Sequence, residues 1–142
     1  MNVALPHYVS MLDAPNGLSF SLPWPPSVNH YWRSPNKGPL AGRHLLSAEG
    51  RAYRQAVALA SVEMRAPRPR WAAPVRVDLL LEPPDRRRRD LDNYLKPVLD
   101  ALVGIGMLED DRWIRELFVA WRAPAPVGRV MVTLKRLEGL VP

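Results

Sequence analysis

The 142-residue sequence contains no cysteine. That absence removes disulfides, thiolate zinc sites and cysteine nucleophiles together, so any metal must be held by oxygen or imidazole. Imidazole is scarce as well: His7, His30 and His44 show no ligand spacing and are assigned to loops. Lysine is rare, since all but Lys37, Lys96 and Lys135 of the 20 basic residues are arginine. No run approaches the ~20 apolar residues of a membrane helix, and the opening residues lack the basic start and apolar stretch of a signal peptide. A cytoplasmic protein with no membrane partner is the expectation. Neither an internal repeat nor a sustained heptad pattern is visible, which excludes solenoids and long coiled coils.

What is present suits one globular domain: 47% of the residues are hydrophobic, enough for a sizeable core at this length. The net charge of +6 favours a polyanionic partner such as nucleic acid. Arginine suits bidentate phosphate contacts, although a composition rich in Arg, Ala and Pro also arises from a GC-rich genome.

Residues 1–16 show no period and are expected to form a poorly ordered extension, with the folded domain spanning 17–142. Leu18, Phe20 and Leu22 alternate with serines, as in a half-buried strand that Pro23 stops. The Pro- and Gly-rich stretch from Trp24 to His44 reads as a long exposed loop. Ser47 can cap a helix carrying Ala52, Tyr53, Ala56, Val57, Ala60 and Met64 at helical spacing, ending near Arg65. Val75, Val77 and Leu79 open a central strand closed by Pro83 and Pro84. Leu95, Val98, Leu99 and Leu102 define a second helix, with Pro97 in its first turn and Gly104 and Gly106 as its stop. Two further alternating runs, Ile114 to Trp121 and Val130 to Leu137, complete the order β-α-β-α-β-β. The fold class expected is α+β, a single domain with a mixed sheet of about four strands and two helices packed on it.

The chemistry is concentrated where four arginines, Arg86, Arg87, Arg88 and Arg89, run directly into Asp90-Leu91-Asp92. In an extended chain the two aspartates project to one side with Cα atoms about 6.5 Å apart, close enough to share a cation. Magnesium takes hard oxygen ligands and needs only one or two carboxylates, with water and phosphate completing its octahedron. A third carboxylate is available from Asp110 or Asp111, beyond the second helix. Crowded carboxylates repel unless cations neutralise them, and Lys96 can offset charge beside them. Other roles fit the same residues. Asp90 or Asp92 can cap the following helix, the arginines can form a solvated face, Asp110 and Asp111 can be turn residues, and Asn93 can cap or orient a carboxylate. Carboxylates for metal beside arginines for phosphate together point to phosphodiester chemistry. Trp24, Tyr31 and Trp32 are candidates for stacking on bases, with core packing expected of at least one. Trp113 and Trp121 share a parity and are assigned to the packed face of the third strand or to a dimer interface.

These residues resemble the RusA-type Holliday junction resolvases from about Leu18 to Leu137. The resemblance is carried by Asp85 to Asn93 with Lys96, by Leu99 to Leu102, and by Asp110-Asp111 after the glycines. Leu22 to Asn29, Ser47 to Gly50 and Tyr53-Arg54 add to it. It implies a homodimeric, magnesium-dependent endonuclease, with manganese as a substitute, that makes paired nicks in opposed strands of four-way DNA junctions in recombination and repair. The products implied are 5′-phosphate and 3′-hydroxyl ends. It also implies Asp90, Asp92 and Asp111 as metal-holding catalytic residues, Lys96 as a functional lysine and Arg89 as a DNA contact, with Asp110 and Asn93 ranked second. A junction-binding protein without cleavage activity and a different metal-dependent phosphohydrolase are the competing expectations.

Overall fold

Alternation decides which face of each strand is buried. In the computed structural model, which describes residues 9–11 and 17–138, Val75, Val77, Leu79 and Leu81 of β5 are fully buried. The even-numbered Leu18, Phe20 and Leu22 of β2 and Val130, Val132 and Leu134 of β7 are equally buried. The elements run β1 (Val9–Met11), β2 (Gly17–Pro23), α1 (Val28–Tyr31), β3 (Trp32–Arg33), β4 (Leu45–Leu46), α2 (Ala48–Glu63), β5 (Val75–Glu82), α3 (Leu95–Gly104), β6 (Ile114–Trp121) and β7 (Arg129–Arg136). Short 3-10 turns at Leu91–Tyr94 and Asp111–Trp113 flank α3. This is the expected α+β domain: the four expected strands form the body of a sheet ordered β1-β2-β7-β5-β6, with β1 as a fifth, edge strand. The other residues of the expected extension lie outside the described residues.

All pairings are antiparallel except β5 with β6. Parallel neighbours need a crossover, and α3 supplies it. Tyr53 and Val57 of α2, with Met64 just past its end, join Val98, Ala101 and Leu102 of α3 and the inward strand residues in one core. Ser47 caps α2 as expected, accepting from the Gly50 amide at 3.0 Å. Gly50 is required by contact: a Cβ there would lie 2.6 Å from the Tyr31 carbonyl oxygen. The start of α2 is thereby pressed against the end of α1, which fixes Tyr31.

Two expectations are revised. The segment 24–44 is not all exposed loop, because α1 and β3 fold within it, β3 pairing with β4 just beyond it, and Tyr31 is fully buried. Burial removes Tyr31 from base stacking. On the third expected strand, β6, residues Arg115 to Phe118 are exposed on both faces, and among the described residues the strand pairs with β5 alone. Trp113 precedes that strand, in the 3-10 turn, where its indole N–H donates to Glu109 at 2.9 Å. Trp121 packs against the core.

Candidate active site

Pro83 and Pro84 end β5 by removing the amides a longer ladder would need, and the chain turns at Asp85. The Asp85 carboxylate accepts from the Arg87 amide at 2.9 Å and pairs with Arg89 at 2.8 Å. That amide first, and then the Arg89 guanidinium, hold the Asp85 carboxyl below the usual carboxylate range. Arg89 also donates to the carbonyls of Asp85 and Arg87, both at 3.3 Å, and its guanidinium lies 5.7 Å from the Trp24 ring centre. Its side chain is only 13% exposed. One arginine of the four thus builds the loop, while Arg86, Arg87 and Arg88 face solvent. Trp24 in turn packs on Tyr94 at 5.1 Å and Trp121 at 6.3 Å, which ties the loop to the core.

Asp90 stands at the N-cap position of the Leu91–Tyr94 turn but makes no side-chain capping bond. Among the described residues neither the Asp90 nor the Asp92 carboxylate has a hydrogen-bond or ion-pair partner, and both are exposed. Because the chain winds into a 3-10 turn after Asp90, the same-side projection of an extended pair does not apply here. Asp90 and Asn93 instead share a cleft of about 310 Å³ with Ser27, Arg88, Arg89 and Tyr94.

A larger cleft, about 710 Å³, lies between α2 and α3 and contains Trp32, Arg54, Lys96, Asp100, Asp110 and Asp111. The Lys96 ammonium pairs with Asp100 at 2.8 Å and Asp111 at 3.3 Å. Its pKa is raised, chiefly by the hydrogen bond to Asp100. Asp100 also accepts from the Tyr31 hydroxyl at 3.5 Å, and that hydroxyl accepts from Arg54 Nε at 3.2 Å. Burial pushes the Tyr31 hydroxyl pKa upward, against the lowering effect of Arg54. Asp110 caps the second 3-10 turn, accepting from the Arg112 amide at 2.8 Å. The two adjacent aspartates are thereby separated in role: Asp110 organises the backbone and Asp111 faces Lys96. Trp32 stacks on His44 at 4.5 Å on the rim of this cleft.

Sequence reasoning missed Asp100 as a site residue. Its signal was the i, i+4 spacing from Lys96 on a helix, which places the two side chains on one face.

The structure does not gather Asp90, Asp92 and Asp111 into one cluster, and among the described residues no three His, Asp or Glu side chains are placed to hold a metal ion. Asp111 is engaged instead by the Lys96 ammonium, at 3.3 Å. The Asp90–Asp92 pair still fits a hard divalent cation by its donor chemistry: two carboxylates, solvent-accessible and free of competing cations.

Comparison with known proteins identifies the class as an endonuclease. Residues 23–135 match the family model of the endodeoxyribonuclease RusA; the chain belongs to that family. It is 34% identical over 125 residues to the crossover junction endodeoxyribonuclease of Enterobacteria phage HK97, covering 88% of this chain and 99% of the relative. With the enzyme of the same name from Escherichia coli K12 it shares 38% identity over 126 residues, 86% of this chain and 97% of the relative. The Shigella sonnei relative is 37% identical over 128 residues, with the same two coverages. No helix among the described residues is long and apolar enough to cross a membrane.

Proposed function

We propose that the protein is a crossover junction endodeoxyribonuclease that resolves Holliday junctions by magnesium-dependent paired nicks in opposed strands. It acts as a homodimer in recombination and repair, in the cytoplasm where the DNA lies. The observation that carries this reading is the pair of carboxylates, Asp90 and Asp92, that have no partner among the described residues and stand directly beside three solvent-facing arginines. Carboxylates beside cations normally form ion pairs, and these two are left accessible to a metal. Family membership narrows the phosphodiester to DNA, and the relatives' names supply the junction.

Asp90 and Asp92 would hold magnesium, or manganese in its place, with Asp111 as a third carboxylate and Asn93 beside the pair. The bound ion would polarise the scissile phosphate and lower the pKa of water. Arg86, Arg87 and Arg88 contact the backbone rather than bases, so binding weakens steeply with salt. Arg89 supports that surface from beneath, and Lys96 adds positive charge where negative charge develops on the phosphate. An isologous dimer matches the near two-fold symmetry of a four-arm junction and presents one site to each opposed strand.

The test is incubation of purified protein with an end-labelled four-way junction and with linear duplex of the same arm sequence, each with magnesium, with manganese and with chelator. Metal-dependent, symmetric nicking of the junction is expected. Junction binding without nicks would identify a binding protein instead, and equal turnover of linear duplex would identify a general phosphohydrolase.

A further inference from the structure

We propose that Asp100 is the positioning residue for Lys96: with Tyr31 and Arg54 behind it, it fixes the ammonium on the cleft wall and leaves the contact to Asp111 exchangeable. This rests on the reading above only in assigning Lys96 a part in cleavage. A lysine stem has four rotatable bonds, and an isolated ammonium on a helix surface samples many positions. Lys96 has two carboxylate partners, and they differ. Asp100 is closer, at 2.8 Å, and its side chain is 16% exposed, against 3.3 Å and 46% for Asp111. Asp100 is also backed by the Tyr31 hydroxyl, at a long 3.5 Å, which Arg54 holds in turn at 3.2 Å. The row Arg54, Tyr31, Asp100, Lys96, Asp111 crosses from α2 through α1 and α3 to the second 3-10 turn.

Local helix energetics do not account for the Lys96–Asp100 pair, because lysine preceding the acid by four residues is the weaker orientation. An ordinary surface pair contributes little and does not recruit a buried tyrosine from another element. Tyr31 is placed by Gly50 and Ser47, whose amide donates to the Tyr31 carbonyl at 2.9 Å, so the anchor is built by the packing of α1 on α2. Asp111, half exposed on a short turn, is the partner that can be released to another cation or yield the ammonium to a DNA phosphate.

The experiment has two arms. Side-chain NMR of protein labelled at lysine Cε and Nζ reads three residues, with the Lys96 signal assigned through Lys96→Arg. In metal-free protein, Asp100→Asn should collapse the Lys96 shift toward the exposed-lysine position, Tyr31→Phe should move it part of the way, and Asp111→Asn should leave it largely in place. Collapse in Asp111→Asn with retention in Asp100→Asn would overturn the proposal. In the second arm, single-turnover junction cleavage should fall roughly 10- to 100-fold in Asp100→Asn, with metal-free junction binding unchanged. The double variant Asp100→Asn/Lys96→Gln should be no slower than Lys96→Gln alone. Additive losses, or a loss of binding matched by a lowered melting temperature, would show a merely structural aspartate. If the wild-type protein cleaves no junction, the functional reading fails while the NMR arm still decides the positioning of Lys96.

Discussion

The arginine loop leading to Asp90 and the cleft around Lys96 contain the same chemical groups arranged in opposite ways. In the loop, two carboxylates stand free beside cations, and the one aspartate that is paired, Asp85, has Arg89 and Arg87 as partners. In the cleft, Lys96 is held by two carboxylates, and one of them is anchored in turn. The difference separates two tasks. Carboxylates kept free of ammonium and guanidinium groups are available to a divalent ion, whereas a carboxylate committed to an ammonium, as Asp100 is, sets where that ammonium sits.

The most forceful way to break this comparison is to neutralise one carboxylate on each side. Asp90→Asn should lower cleavage on the order of 10³-fold or more while preserving junction binding, measured by gel cleavage and band shift. Asp110→Asn, which retains a capping side chain, should have little effect on either measurement. Equal losses from the two would remove the distinction between the free Asp90 carboxylate and the backbone-capping Asp110.

A smaller effect separates the arginines. Arg87→Ala should weaken junction binding alike for all sequences and reduce the log–log salt slope by about one. It should leave the melting temperature unchanged. Arg89→Ala removes contacts to Asp85, two carbonyls and Trp24, and should lower the melting temperature as well as binding. On the cleft side, Ser47→Ala should cost about 1 kcal/mol through loss of the α2 cap, measured by denaturant unfolding, and should slow cleavage to the extent that Tyr31 loosens.

The mildest perturbation is acid. The Asp85 carboxyl pKa is depressed in the folded protein, so its contribution is complete above the unfolded value near 3.8 and is lost as pH falls through the lower folded value. A change in Trp24 fluorescence confined to that acid window is expected, since Arg89 lies over its ring. Asp85→Asn should abolish it, and Trp24→Phe should identify its source.

Much of this was legible in the residue order. Period-two alternation gave the buried faces of β2, β5 and β7, because a pleat sends successive side chains to opposite sides. The Ser47 cap and the helical spacing behind it located α2. Where alternation failed, at β6, burial depended on what packs over each face of the strand, which a strand's own residues do not encode. β3 and α1 within 24–44 were hidden by prolines and glycines that read locally as loop.

The sequence by itself determined the chemical inventory and its local groupings: no thiols, few lysines, an arginine run ending in Asp90 and Asp92, and a family relationship across most of the chain. Those properties depend on residue type and short spacing, which need no fold to be read. Only the tertiary structure decided which charges meet. It turned Arg89 inward and left Asp90 and Asp92 without partners among the described residues. It used Asp110 as a cap, set Asp111 against Lys96 across 15 residues, and brought Tyr31 to Asp100 across 69. Contacts of that separation are set by strand order and helix packing, so the site became specific only when the parallel β5–α3–β6 crossover and the α1–α2 junction were in place.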